Sequence, residues 1–123
     1  MKDMNQTSQI VLPEHRELEN PPTFTVYQVT RAEKGAILEA MRKIRAIDAD
    51  AQEAWKQFDE CLDSIERVLE EVVADWSGLV NRRGKPVQFS KDSLSDVLTD
   101  QQLVELAGKC IEVSVAGDDQ RKK

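Results

Sequence analysis

Residues 55–76 read WKQFDECLDSIERVLEEVVADW and carry the strongest structural signal in the chain. Their apolar residues recur at alternating spacings of three and four, which keeps side chains on one face of an α-helix. We call this set the apolar stripe; it consists of Trp55, Phe58, Leu62, Ile65, Leu69, Val72 and Trp76. Because such a stripe must be buried against other protein, we predict one long amphipathic helix over residues 55–76 as the base of the fold, with the stripe as a candidate partner-binding face.

The opposite face of this predicted helix is acidic. It carries a single basic residue, Arg67, against a surplus of carboxylates that i,i+4 pairing cannot neutralise. These carboxylates are Asp59, Glu60, Asp63, Glu66, Glu70, Glu71 and Asp75. We expect them to stay in solvent or to meet a basic partner, and we take Glu66, Glu70 and Glu71 as candidate partner-binding residues.

The chain before the long helix predicts an arm, a strand and a first helix. Residues 1–22 are polar, lack a sustained period and end in two prolines, which indicates a flexible N-terminal arm. Residues 23–29 are rich in β-branched and aromatic residues, which predicts a short strand without an evident partner in its own chain. Thr30 and Glu33 form a capping box that starts an amphipathic helix, and residues 48–50 can cap the next one.

A turn-rich segment follows the long helix. We call residues 78–90 the Gly/Pro corner, because Gly78 and Gly84 permit backbone angles closed to other residues and Pro86 fixes a turn. Val87 and Phe89 are expected to pack against the tryptophan that ends the stripe. The corner therefore predicts a structured turn, and Gly78, Gly84, Pro86 and Phe89 join the candidate structural or partner-binding residues.

Two helix starts follow the corner. Ser90 can cap a short helix, and Thr99 with Gln102 forms a second capping box that opens a closing helix. Residues 117–123 are charged and predict a disordered tail. The predicted fold class is thus mainly α: a single helical domain over residues 23–116, with three to four helices built on the long acidic helix, a short N-terminal β-strand and the structured Gly/Pro corner.

Composition narrows the classes of partner. The 123 residues include 17 Lys and Arg against 23 Asp and Glu, a net charge of −6 that repels nucleic acid and anionic lipid. The one apolar run near the N-terminus, residues 10–12, is too short for a signal peptide or a membrane span. We therefore predict a cytoplasmic protein that binds other proteins, with no nucleic-acid and no membrane partner.

The sequence offers little for catalysis. The only histidine, His15, lies in the polar arm, and the motifs of phosphate-binding loops, zinc sites and nucleophile elbows are missing. Cys61 and Cys110 occupy apolar helical positions without a neighbouring metal-ligand pair, so we interpret them as buried free thiols. We predict a protein that is not an enzyme, with no catalytic residue, no cofactor and no metal.

The order of these features resembles the tail assembly chaperones of long-tailed bacteriophages. The similarity covers roughly residues 24–115 and includes a long acidic helix that ends in a tryptophan, a Trp-x-Gly step and a Gly-x-Pro-Val-x-Phe-Ser step. The matching positions are Trp76, Gly78, Gly84, Pro86, Val87, Phe89, Ser90, Leu94 and Leu98. The longer arm and the second short helix depart from that pattern.

The resemblance implies a phage or prophage protein of the bacterial host cytoplasm. Such a chaperone binds the tape measure protein and the tail tube protein, keeps them soluble and is absent from the finished virion. Two other functions stay open: a small acidic regulatory or inhibitory protein, antitoxin-like or mimicking nucleic acid, and a structural head-tail connector. A homo-oligomer is compatible with each, because the predicted strand and the long stripe both call for partners.

Overall fold

The structure is a computed structural model that describes residues 7–15, 17–19, 21–81, 83–90 and 93–121. The chain forms strand β1 (Thr7–Ile10), a 3-10 turn (Pro13–His15), strand β2 (Thr23–Tyr27), helices α1 (Arg31–Ala46) and α2 (Ala54–Val72), strand β3 (Val73–Ser77), and helices α3 (Leu94–Val97) and α4 (Asp100–Arg121). The core is built from all of these strands and helices, with Phe24, Ile37, Ile65, Leu94 and Leu106 fully buried.

The prediction of a mainly α domain is wrong, because the three strands pair into one antiparallel sheet in the order β1-β2-β3. The central strand is β2, which places Phe24 opposite Ile10 on one side and opposite Trp76 on the other. The fold is therefore α+β. The strand that lacked an evident partner in the sequence has two partners within its own chain, β1 before it and β3 about 50 residues after it, and no local pattern connects these segments.

The N-terminal segment is part of the fold, in contrast to the flexible arm predicted for residues 1–22. Residues 7–10 form the edge strand β1, and the side chains of Ile10 and Leu12 are 4% and 0% exposed. The first three residues of β1 are polar, so the strand shows no run of apolar residues in the sequence. Residues 1–6, the start of the predicted arm, lie outside the described part of the chain.

The long helix ends earlier than the spacing of the stripe predicts. Helix α2 stops at Val72, and Trp76 lies on β3. Thr25 pairs with Asp75 whereas Val26 pairs with Val73, which leaves Ala74 as an extra residue in a β-bulge. On a regular strand, residues three apart point to opposite faces of the sheet. The bulge places both Val73 and Trp76 in the core, so two residues of a strand show the spacing expected of a helix.

The predicted helix starts are partly confirmed. At Thr30 both hydrogen bonds of the capping box are present, and at Thr99 the amide of Gln102 donates to the threonine hydroxyl over 3.2 Å. The expected cap at residues 48–50 is wrong: Asp48 Oδ1 accepts from the amide of Asp50, and α2 begins after Glu53, which makes no side-chain cap.

The helices after the corner also differ from the prediction. Ser93 precedes α3 in place of Ser90, whose carbonyl oxygen accepts from the Ser93 amide over 3.0 Å. Helix α4 continues to Arg121, through most of the tail predicted as disordered, and residues 122–123 lie outside the described part. Among the described residues, no helix is both long and apolar enough to cross a membrane.

Candidate partner-binding surface

The apolar stripe is covered by the protein's own chain over most of its length. Leu62, Ile65, Leu69, Val72 and Trp76 are between 0% and 5% exposed. Phe58 is half-buried, and Trp55, the first residue of the stripe, is 68% exposed. The stripe therefore faces the core from α2 and, at Trp76, from β3, and only its Trp55 end is free to contact another molecule.

The Gly/Pro corner is anchored on Trp76. The indole Nε1 donates a hydrogen bond of 2.9 Å to the carbonyl oxygen of Val87, and the ring of Phe89 meets the indole edge-on with centroids 4.9 Å apart. An edge-to-face aromatic pair adds to the stabilisation from burial. The predicted packing of Phe89 on the tryptophan is thus confirmed, and Val87 meets the tryptophan through its backbone carbonyl oxygen.

A narrow loop forms the outer part of the corner. Val80 pairs with Pro86, and the amide of Val87 donates to the carbonyl oxygen of Leu79 over 2.9 Å. Asn81 closes the tip, because its Oδ1 accepts from the amides of Arg83 and Lys85 at 2.8 Å and 3.1 Å. Side-chain bonds of this kind are why asparagine favours turns. They leave Val80, Arg83 and Lys85 exposed on the surface.

The two glycines of the corner have positive φ, 78° at Gly78 and 79° at Gly84, where L side chains are strained. Their surroundings differ. A Cβ on Gly78 would lie 3.3 Å from the Cα of Pro22, whereas a Cβ on Gly84 would meet nothing within 4 Å. Gly78 therefore allows the corner to lie directly against the segment that enters β2.

The acidic residues predicted for the long helix lie on two elements, α2 and β3. Asp59, Glu60, Asp63 and Glu71 are exposed on α2, and Glu66 and Glu70 are half-buried. Asp75 lies on β3, where its Oδ1 accepts from the amide of Trp76 over 2.8 Å. In the described part of the chain, no basic side chain forms an ion pair with the α2 carboxylates. Their charge is therefore available to a partner.

A groove runs beside this acidic face, between α1 and α2. Two adjoining cavities of about 390 Å³ and 260 Å³ share the side chains of Lys43, Glu60 and Cys61, and so form one open channel. Ala36, Ala40 and Ser64 complete the wider cavity and Ala46, Ile47 and Gln57 the narrower one, while Glu39 and Arg42 lie one at each. We call this channel the α1–α2 groove.

The groove is lined by small residues and has a charged rim. The hydrogen bond from Arg42 to Glu39 holds the pKa of that carboxyl below its usual range, so Glu39 stays ionised. Sequence reasoning missed the groove. The one signal for it was the pair of alanines, Ala36 and Ala40, one turn apart on α1, because small side chains leave space between helices.

The predicted core thiols are confirmed. Cys61 and Cys110 are free and buried, at 8% and 0% exposed. Burial, with a smaller contribution from the charge of Glu33, raises the pKa of the Cys110 thiol to about 12, so it remains protonated at neutral pH. His15 lies half-buried in the 3-10 turn. Within the described ranges, no group of three or more His, Cys, Asp or Glu side chains could hold a metal ion.

Comparison of the chain with models of protein families, with curated proteins and with solved structures found no match.

Proposed function

We propose that this protein is a non-enzymatic phage tail assembly chaperone that holds a helical segment of the tape measure protein on its α1–α2 face and also binds the tail tube protein. The supporting observation is the open α1–α2 groove beside an exposed acidic face without described ion pairs. An amphipathic client helix can lay apolar side chains into such a groove while its basic residues meet the carboxylates.

The position of the client follows from burial. The apolar stripe cannot be the main client surface, because its central residues pack inside the domain. The groove remains, since the small alanine, serine and cysteine side chains that line it let a second helix approach closely. Glu60 belongs both to the groove and to the acidic face, so one client helix can contact the two together.

The Gly/Pro corner supports this surface. Its contacts to Trp76 lie just beyond the C-terminal end of α2 and fix that end against the sheet. A binding surface on a rigid element costs less ordering on association than one on a mobile loop. The residues that carry the resemblance to tail assembly chaperones therefore act as supports, and the client contacts lie on the helices.

The test is co-expression with the tape measure protein of the same phage or prophage. We expect the wild-type protein to keep the tape measure protein in the soluble fraction and to co-purify with it. Ala36→Trp fills the groove from an exposed position and Glu60→Lys reverses its rim charge, so each should lower co-purification at least about tenfold.

Glu112→Lys is the matched control for the charge reversal. Glu112 is exposed on α4 and pairs with Lys109 over 3.3 Å, an exposed contact of small energetic value. This variant should hold the client like the wild type. A tape measure protein that aggregates equally with and without this protein contradicts the proposal, as does full binding by both groove variants.

The exposed carboxylates also favour the second candidate, an acidic protein that occupies the nucleic-acid site of a basic protein. The same variants separate the two functions. A mimic of nucleic acid depends on charge, so Glu60→Lys should weaken its binding and Ala36→Trp should not. For a head-tail connector, the protein should be found in purified virions, from which a chaperone is lost.

A further inference from the structure

Two surface segments of this chain are exposed, apolar at the centre and opposite in charge. Trp55 and Val80 are 68% and 56% exposed, and they lie on different elements, the first turn of α2 and the Gly/Pro corner. Exposed tryptophan side chains are over-represented among the residues that dominate protein interfaces. The charges around these two side chains are opposite in sign.

The surroundings of Trp55 are acidic. Asp48, Asp50 and Glu53 are all exposed in the turn between α1 and α2, and Lys56 is the one basic residue between positions 46 and 58. Backbone bonds from Ala51 to Asp48 and from Ala54 to Ala51 hold the turn compact, and its carboxylates precede Trp55 by two to seven residues in the chain. We call Trp55 and these three carboxylates the acidic turn.

The surroundings of Val80 are basic. Residues 78–90 contain no Asp or Glu, and the exposed Arg83 and Lys85 lie at the tip that Asn81 closes. We call Val80, Arg83 and Lys85 the basic tip. Among the described residues, no ion pair joins the basic tip to the acidic turn, and both apolar side chains remain exposed, so the two surfaces do not satisfy each other within one chain.

We propose that the basic tip of one copy of this protein binds the acidic turn of a second copy. The apolar centres, Val80 and Trp55, then pack together while Arg83 and Lys85 pair with the surrounding carboxylates. Because the two surfaces differ, the contact is heterologous: it closes into a ring or a reciprocal dimer, or it continues as an open filament. This contact uses neither the α1–α2 groove nor its rim, so it stands apart from the proposed client site.

The experiment is sedimentation equilibrium of the purified full-length protein over a range of concentrations. We expect the average mass to rise with concentration. Trp55→Ala should weaken self-association at least about tenfold, and the double variant Arg83→Glu with Lys85→Glu should abolish it. Leu38→Ala is the control for loss of an exposed apolar side chain, because Leu38 is 49% exposed on α1 and belongs to neither surface.

A charge-swap mixture makes the test specific. The double variant Asp50→Lys with Glu53→Lys should fail to self-associate, because its reversed turn faces a basic tip. Mixing it with the Arg83→Glu, Lys85→Glu variant should restore association, because the unchanged tip of the first variant meets the unchanged turn of the second and the reversed tip of the second meets the reversed turn of the first. The swap combined in one chain should restore self-association, since its reversed tip meets a reversed turn. Circular dichroism of each variant checks that it is folded.

Three outcomes overturn the proposal. The first is a wild-type protein that remains monomeric at the highest soluble concentration. The second is self-association that Trp55→Ala and the charge variants leave unchanged, which would place the contact elsewhere. The third is a four-site charge swap that folds but stays monomeric, which would show that the two surfaces do not meet.

Discussion

At the scale of single residues, the two tryptophans of the apolar stripe have opposite environments. Trp76 is buried, donates to Val87 and packs against Phe89, whereas Trp55 is exposed in the first turn of α2. Both fit the same spacing in the sequence. The difference arises because the sheet and the Gly/Pro corner surround Trp76. Among the described residues, no element covers the first turn of α2, before Phe58, to the extent that Trp76 is covered.

The two corner glycines give a matched test of close approach. Gly84→Ala should lower the free energy of unfolding by about 1 kcal/mol, the usual strain of a non-glycine residue at positive φ. Gly78→Ala should cost more, because its Cβ also presses on the backbone of Pro22. Urea denaturation of the two variants measures the difference. Equal losses would show that the contact with Pro22 relaxes without cost.

The buried thiol of Cys110 predicts a loss of stability in alkali. Its pKa is raised from 9.0 to about 12 in the folded protein, so below about pH 9 the thiol is protonated in both states and its contribution is complete. As the pH rises toward 12 the unfolded chain releases the proton and the folded chain does not, which favours unfolding. By pH 10.5 this amounts to roughly 2 kcal/mol.

The check is to compare the wild type with Cys110→Ala by denaturant unfolding at pH 8 and pH 10.5. All other side chains are the same in the two proteins, so the difference between their losses of stability isolates the thiol. The wild type should lose more stability over this interval than the variant. Parallel losses in the two proteins would mean that the Cys110 environment is open to water.

At the scale of elements, strand β1 determines where the folded domain begins. The structure places residues 7–10 at the edge of the sheet and buries Ile10 and Leu12 beneath it, so the domain begins well before residue 23. The edge strand completes a three-stranded sheet, and two-stranded hairpins are only marginally stable in water.

Removal of residues 1–12 should therefore destabilise the domain. Burial of Ile10 and Leu12 alone is worth about 1.5–3 kcal/mol each, and β2 would lose one of its two neighbours. Removal of residues 1–6 is the control, because it leaves β1 in place. Thermal melting followed by circular dichroism measures both deletions. A protein that loses residues 1–12 without a fall in melting temperature would restore the interpretation of this segment as a flexible arm.

At the scale of the whole molecule, the closed core determines where partners can bind. If the apolar stripe were exposed, the protein could bind clients through its most apolar face. Instead, the sheet and the other helices pack against the stripe and bury it. The surfaces that remain are the α1–α2 groove, the acidic face of α2, the acidic turn and the basic tip. Three of these four depend on charge, so association through them should weaken as ionic strength rises.

Features set by neighbouring residues could be predicted from the sequence. The capping boxes at Thr30 and Thr99, the packing of Phe89 on Trp76 and the burial of both cysteines depend on spacing and side-chain type within short segments, and the structure confirms each. The acidic character of α2 likewise follows from helical periodicity alone. For the capping boxes and the aromatic pair the residues involved lie within one short segment of chain.

Tertiary structure alone decided the sheet, the end of α2 and the shape of the groove. Residues 7–10 form a strand because they pair with β2, in which Phe24 lies opposite Ile10. The bulge at Ala74 gives the apolar residues of β3 the spacing expected of a helix. The α1–α2 groove exists because small side chains leave space between two consecutive helices, and the sequence alone does not fix how those helices pack. The sheet depends on contacts between distant segments, whose free energy appears only once the chain has closed the loops that join them.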